Sequence, residues 1–133
     1  MKNRVVARYA DGRLLKGSTN DFVPTKDVFH VSDVNAGPGA TPTRVQVREL
    51  KAVFFVKDFV GDREHKPRND FEPGRAVTGK KIEVVFADGE VLVGTTQGYQ
   101  PDRPGFFMVP ADGSANTERC FVVMTATRSV RLL

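Results

Sequence analysis

The fold of this chain is decided by a stretch that occurs twice. Residues 86–94 read FADGEVLVG, and residues 9–17 read YADGRLLKG, 77 positions earlier. In both copies Asp-Gly lies between two runs of strand-forming residues, which is a strong signal for a β-hairpin. A type I′ turn needs positive φ at both central positions, and Asp-Gly suits it. We therefore predict such a two-residue turn at Asp11-Gly12 and at Asp88-Gly89.

The similarity between the two copies extends over most of the chain. Residues 4–56 align with residues 81–133 at the fixed offset of 77 without a gap, and ten of the 53 aligned pairs are identical. The identities include turn glycines and alternating apolar residues, which a shared backbone requires. We therefore interpret the chain as an internal duplication of one small unit.

Each copy contains about five short runs with the period of two that is typical of strands. After each hairpin we predict three further strands: Phe29–Val31, Arg44–Arg48 and Ala52–Val56 in the first copy, and Phe106–Val109, Cys120–Met124 and Ser129–Leu133 in the second. Five short twisted strands close most readily into a small barrel, which removes exposed edges. The sequence therefore predicts an all-β fold of two tandem five-stranded small barrels.

The duplication divides the chain into three segments. We predict the first barrel at residues 1–56 and the second at residues 81–133. Residues 57–80 are rich in charge, glycine and proline, and they show no sustained period of 2 or 3.6. We interpret them as a connector that crosses from one barrel to the next.

Each unit resembles the Sm-like family of small five-stranded barrels. The likeness lies in the D-G-x-x-x-x-G pattern of the first hairpin, the short apolar third strand, and a final strand pair such as VQVRELKAVFFV at residues 45–56. It implies an Sm-like or SH3-like barrel in each half. The Asp-x-x-x-Asn and Arg-Gly patterns of the RNA-binding members are absent from the corresponding stretches.

A second resemblance concerns the stretch GYQPDRPGFFMVPAD at residues 98–112. It is similar to an uncharacterised bacterial family associated with PilZ-type regulators. That likeness implies a regulatory role.

The composition is that of an ordinary soluble globular protein, with 40% apolar and 27% charged residues in 133. No apolar run approaches the length of a membrane span, and the first residues lack the apolar block of a secretory signal. The lone cysteine, Cys120, cannot form an internal disulfide, and we interpret it as a small buried strand residue. We therefore expect a cytoplasmic protein that makes no membrane contact.

The sequence offers little material for catalysis. It contains no common catalytic, nucleotide-binding or metal-binding motif. Its two histidines are His30, in a predicted strand, and His65, in the connector. Because Phe107 is the counterpart of His30 in the second copy, we interpret His30 as a packed strand residue. We expect no enzymatic activity, no cofactor and no metal site.

The net charge of +4 is unevenly spread. Residues 1–56 carry +4, whereas residues 82–133 carry −2. A basic first half can attract nucleic acid or an acidic partner, or it can be a solvated face that keeps the protein soluble. Halves of opposite sign also suit head-to-tail contact between molecules.

The most distinctive candidate site is the loop before the third strand of the second copy. Pro101 and Pro104 stiffen this loop, and Gly105 allows a partner to approach the backbone closely. Asp102 and Arg103 are then presented at low ordering cost. Arg119 can join Arg103 as a clamp for phosphate or carboxylate, or these side chains can form structural ion pairs.

Neighbouring phenylalanines provide a second candidate surface. Successive strand residues point to opposite faces, so one member of Phe54-Phe55 and one of Phe106-Phe107 should face the sister barrel or another molecule. Phe106 matches Phe29 of the first copy, which assigns Phe106 to the core and leaves Phe107 as the candidate.

Our leading hypothesis is a non-enzymatic regulatory or assembly module that binds a protein partner or copies of itself by pairing sheet edges. The alternative is RNA, DNA or nucleotide binding, either at the Arg103/Arg119 rim or through basic residues of the first copy. Those residues are Lys2, Arg4, Arg8, Arg13 and Lys16, of which Arg8 and Lys16 can line one face. Hydrolysis or group transfer on a small molecule is a third, weaker hypothesis.

Overall fold

A computed structural model describes residues 3–37, 39–57, 79–99, 102–111 and 117–133. Below, residues 3–57 are called the first half and residues 79–133 the second half. The predicted connector lies outside the described residues, apart from Lys57, Gly79 and Lys80. In the described part of the chain, no helix is long and apolar enough to cross a membrane.

The described residues form strands and two one-turn 3-10 helices, which confirms the predicted all-β class. The first half contains β1 (Asn3–Tyr9), β2 (Leu14–Thr19), β3 (Val28–Asp33), β4 (Thr43–Gln46) and β5 (Leu50–Val56), with a 3-10 helix at Val47–Glu49. The second half contains β6 (Lys80–Phe86), β7 (Val91–Thr96), β8 (Gly105–Pro110), β9 (Thr117–Val123) and β10 (Thr127–Leu132), with a 3-10 helix at Met124–Ala126.

All of these strands belong to one antiparallel sheet with the order β10-β6-β7-β8-β9-β5-β1-β2-β3-β4. The order of the first half, β5-β1-β2-β3-β4, thus recurs in the second half as β10-β6-β7-β8-β9. The two halves are joined where β9 pairs with β5, with Cys120 opposite Phe54. The sequence predicted two separate five-stranded units, whereas the described strands form one continuous open sheet. Separate units would expose the edges of β9 and β5 to water. Pairing of β9 with β5 covers both edges and satisfies their backbone hydrogen-bonding groups.

The strand registers of the two halves are related by the same offset as the sequences. Asn3 pairs with Thr19 on β1–β2, and Lys80 pairs with Thr96 on β6–β7. Every other registered pair within the first half also has its counterpart 77 residues later. The two halves therefore follow the same pairing scheme, strand by strand.

The first hairpin turns are equivalent in the two halves, but their predicted type was wrong. The N–H of Gly12 donates to the carbonyl oxygen of Tyr9 (3.0 Å), and the N–H of Gly89 donates to that of Phe86 (2.9 Å). Gly12 and Gly89 have φ of 99° and 93°, and no described non-glycine residue has a positive φ. Asp11 therefore cannot take its place in a type I′ turn. Each loop has three residues, of which only the glycine is left-handed.

Two apolar cores lie on opposite sides of the β5–β9 join. Because successive strand residues point to opposite faces, β5 supplies Val53 and Phe55 to the first core and Ala52 to the second. In the same way β9 supplies Phe121 to the first core and Cys120 to the second. Both faces of the join are thus buried, which explains the apolar run AVFFV at residues 52–56 of β5.

Candidate ligand and partner sites at the join of the two halves

A cleft of about 540 Å³ lies between the β2–β3 loop of the first half and the β7–β8 loop of the second half. Four of the seven predicted site residues line it: Asp102, Arg103, Gly105 and Phe107. Gly105 is required there, because a Cβ would overlap the carbonyl oxygen of Val122 and the ring of Phe121. The cleft is therefore shaped by close contact between β8 and β9.

Aromatic rings from both halves meet beneath this cleft. The ring centroid of Phe107 lies 5.2 Å from that of Phe121 and 5.9 Å from that of Phe22. Phe22 and Phe121 are 5.1 Å apart in an edge-to-face arrangement. Edge-to-face pairs of this kind add about 0.5–1.5 kcal/mol each beyond the burial of their area. The rings thus form an aromatic cluster at the join, made of Phe22, Phe55, Phe107 and Phe121.

The neighbouring phenylalanines divide between the two cores, as the alternation of strand side chains predicts. Phe106 lies in the second core, whereas Phe107 packs against the first core. Phe55 lies in the first core, whereas Phe54 packs against the second. Each pair therefore turns one ring toward the sister half.

Arg119 covers the aromatic cluster from outside. Its guanidinium carbon is 4.3 Å from the ring centroid of Phe55 and 4.9 Å from that of Phe107. These distances are within the range of cation–π attraction. Arg119 is not among the residues that line the cleft with Arg103, so the structure does not bring the two arginines of the predicted clamp together at that cleft.

A second groove, of about 400 Å³, shares Pro104 with the first cleft and carries three cationic side chains. Lys26, Arg44 and Arg48 of the first half line it, together with Asp27 and with Thr125 of the second half. None of the three cations forms an ion pair with a described acidic residue. Sequence reasoning missed this group, because Lys26 is 18 residues from Arg44 in the chain and joins the two arginines only after folding.

Lys51 fastens β5 of the first half to the β6–β7 turn of the second. Its side chain is only 8% exposed, and its ammonium lies 2.7 Å from Asp88 Oδ2 and 2.7 Å from Glu90 Oε1. The ammonium also lies 4.7 Å from the ring centroid of Phe86. The Lys51 hydrogen bond, together with the N–H of Glu90, holds the pKa of Asp88 below its ordinary value. We call this group the Lys51 clasp.

The predicted site residues Arg8 and Lys16 lie away from the cleft. Arg8 extends the Lys51 clasp, with Nη1 at 3.9 Å from Glu90 Oε2 and its guanidinium carbon 5.5 Å from the ring centroid of Phe54. Lys16 is exposed on β2, where it pairs with Val6 of β1. The register places both on the same face of the β1–β2 hairpin.

His30 is exposed, so the prediction of a packed histidine was wrong. Its Nδ1 lies 2.7 Å from Asp21 Oδ2, and its backbone N–H donates to Asp21 Oδ1 at 2.9 Å. Desolvation raises the pKa of Asp21, but hydrogen bonds from His30 and Thr19 outweigh it and lower the pKa overall. A solvated His–Asp hydrogen bond thus occupies the position where the second half has Phe107.

Cys120 is fully buried in the second core, as predicted. Burial raises the pKa of its thiol far above the ordinary value. Among the residues that the structure describes, no three His, Cys, Asp or Glu side chains are grouped as a metal site would require.

These features define an all-β protein whose two similarly paired halves share one sheet and two cores. A family model covers residues 1–133, and the chain belongs to that family, a family of unknown function (DUF6982). The searches of curated proteins and of solved structures found no match to the chain.

Proposed function

We propose that this chain is a non-enzymatic assembly module, built from two fused Sm-like units, that binds polypeptides at the edges of its sheet. The common strand order and the registers offset by 77 residues support the duplication of one small barrel-like unit. Two apolar cores, one on each side of the join, support the presence of two such units.

The observation that carries the proposal is the internal join. There β9, the fourth strand of the second half, adds to β5, the fifth strand of the first half. The counterpart strands, β4 and β10, are the two edges of the sheet. A strand that added to β10 would repeat a contact that the chain already makes internally, which is the geometry of β-augmentation.

The β10 edge has the groups that such an addition needs. Leu132 is 47% exposed, whereas its counterpart Phe55, covered by β9, is 3% exposed. The N–H of Leu133 donates to the carbonyl oxygen of Lys81 on β6. Because successive amides of a strand point to opposite sides, the N–H of Leu132 points away from β6. An incoming strand would therefore find an open amide and an apolar side chain together.

The test uses a matched pair of charged substitutions. Leu132→Lys places a charge on the free edge, whereas Val109→Lys changes an equally exposed apolar residue (50%) on the interior strand β8. We would measure the mass of each variant by size-exclusion chromatography with light scattering, up to about 100 µM. We would also select heptapeptide ligands against each variant by display.

We expect either self-association or binding of selected peptides. In both cases Leu132→Lys should weaken the affinity at least tenfold, whereas Val109→Lys should leave it unchanged. A chain that stays monomeric and selects no peptide sensitive to Leu132→Lys would refute the assembly function. If self-association is the outcome, β4 of one copy is the strand expected on β10 of the next.

A second candidate function is nucleic-acid binding, and the basic groove favours it. Lys26, Arg44 and Arg48 form no ion pair with a described acid, and the groove adjoins the cleft that Arg103 and Phe107 line. Binding of phosphates there would depend strongly on salt. The test is fluorescence anisotropy with single-stranded RNA at several salt concentrations.

For the nucleic-acid candidate, Arg48→Ala should weaken RNA binding several-fold and reduce the salt slope by about one. Arg13→Ala is the control, because Arg13 is already paired with Asp11 at 2.8 Å. Equal effects of the two substitutions would rule out the basic groove as the binding site, and no binding at low salt would dismiss this function.

A further inference from the structure

The internal join shows what kind of strand the fifth strand of each half accepts. On β5, Val53 lies opposite Phe121 and Phe55 lies opposite Arg119. The ring of Phe121 is 1% exposed and packs against Phe22. The added strand β9 thus contributes an aromatic side chain that closes the open end of the first core.

Within the described residues, the second half has the same open end without such a ring. Its counterparts of Val53, Phe55 and Phe22 are Val130, Leu132 and Tyr99, by the offset that relates all registers. Val130 and Tyr99 are half-buried against the second core. A strand added in the β9 register would place its aromatic residue opposite Val130, above Tyr99 and Leu132.

The β4 strand of a second copy is poorly suited to that position. By the same register, Arg44 would take the place of Phe121, and its neighbour His30 would take the place of Phe107. His30 is hydrogen-bonded to Asp21 through its ring and through its backbone N–H. Self-pairing would therefore desolvate an arginine and a His–Asp pair against an apolar core, and burial of charge without full compensation is costly.

The charges at the two edges also oppose self-pairing. Among the described residues around β10, the exposed cations Lys80, Arg128 and Arg131 outnumber the acid Glu83, which binds Arg131 at 2.8 Å. The groove beside β4 is basic as well, with the cations Lys26, Arg44 and Arg48. Like charges on two surfaces disfavour their association. The net charges of residues 1–56 and 82–133, +4 and −2, do not reveal that the two edges carry charge of the same sign.

From these observations we infer that the β10 edge takes an extended strand of another protein that carries one aromatic residue opposite Val130 and acidic residues beside it. The inference rests on the proposed function and names its partner class. The aromatic side chain closes the second core as Phe121 closes the first. The acidic residues meet Arg128 and Lys80.

The test is fluorescence anisotropy on the full chain with three labelled peptides. The first has the β9 sequence with Cys120 replaced by serine, TERSFVV, preceded by two glutamates. The second differs from it only in Phe121→Arg. The third has the sequence that includes β4, residues 40–46, preceded by the same glutamates. Each is titrated with wild type, Leu132→Lys and Val109→Lys, and circular dichroism verifies that the variants are folded.

We expect the first peptide to bind wild type and Val109→Lys at least tenfold more tightly than Leu132→Lys. The Phe121→Arg peptide and the β4 peptide should bind at least tenfold more weakly than the first. Equal or tighter binding of the β4 peptide would overturn the inference while leaving the assembly function in place. Binding that survives Leu132→Lys would report strand exchange at β5 and would also overturn it. No binding of any peptide would overturn the inference, and the assembly function would then be decided by the measurements proposed for it.

Discussion

The Lys51 clasp offers the sharpest test of how the two halves are held together. The Lys51 side chain is only 8% exposed, whereas its partners Asp88 and Glu90 keep 55% and 46% of their side chains exposed. This difference in burial predicts that removal of the cation and removal of the carboxylates lower the free energy of unfolding by different amounts. Removal of the cation leaves two carboxylates that water can solvate. Removal of the carboxylates leaves the cation of a largely buried side chain without an anion.

The expected magnitudes follow from that asymmetry. Lys51→Met keeps the unbranched stem and loses charge-assisted hydrogen bonds, so it should lower the free energy of unfolding by about 2 kcal/mol. The double variant Asp88→Asn/Glu90→Gln preserves size and leaves the ammonium without an anion, which should cost about 3–5 kcal/mol. The triple variant should resemble Lys51→Met, because removal of all partners leaves no uncompensated charge.

The assay is urea unfolding followed by far-ultraviolet circular dichroism, since the chain contains no tryptophan. With a slope of about 1.5 kcal/mol per molar urea, Lys51→Met should lower the midpoint by about 1.3 M. The double variant should lower it further, and the triple variant should recover part of the loss. If Lys51→Met proved more destabilising than the double variant, the assignment of Lys51 as a buried cation between two solvated acids would be refuted.

Three other predictions concern pH, packing and the thiol. Because Lys51 lowers the pKa of Asp88 in the folded chain, the clasp stabilises the fold at pH values above the ordinary pKa of 3.8 and loses this contribution as the pH falls below it. The free energy of unfolding should therefore fall more steeply with decreasing pH in wild type than in Lys51→Met. Gly17→Ala and Gly94→Ala should each cost about 3 kcal/mol in urea unfolding, because a Cβ would overlap the carbonyl oxygen of Ser32 or Val109, while Gly98→Ala, which faces open space, should be almost neutral. Cys120 should react with a thiol reagent only at the rate of global unfolding, because burial raises its pKa; rapid reaction of the native chain would contradict its placement in the core.

Much of the fold could be predicted because short-range patterns determine it. Asp-Gly turns, the period of two and the offset of 77 located the strands of both halves within a few residues. The turn type was wrong because Asp11 accepts a hydrogen bond from the N–H of Arg13 at 3.0 Å, an Asx turn that supports a right-handed φ at aspartate. Sequence patterns thus indicate reliably that a turn is present, but they do not indicate as reliably which side chain stabilises the turn.

The join and the sites around it could not be read from the sequence. Strand periodicity says which face of a strand is apolar, but it does not say which edge pairs with which, so the β9–β5 pairing was not foreseen. Lys51 gave one signal, a single lysine within the apolar run LKAVFFV, but its partners are 37 and 39 residues away. His30 was misjudged because the comparison with Phe107 ignored Asp21, for which the second copy has Gly98.

The most direct measurement of the central claim is amide hydrogen exchange by NMR at Val53, Phe55, Val130 and Leu132. These are two pairs of counterparts, and only the first pair is covered by an added strand. In dilute protein the amides of Val53 and Phe55 should exchange slowly and those of Val130 and Leu132 quickly. Addition of the β9-like peptide should slow the second pair to a comparable rate. Equal exchange in the two pairs before any addition, or no slowing when the peptide is bound, would contradict the claim that β10 is a vacant counterpart of β5.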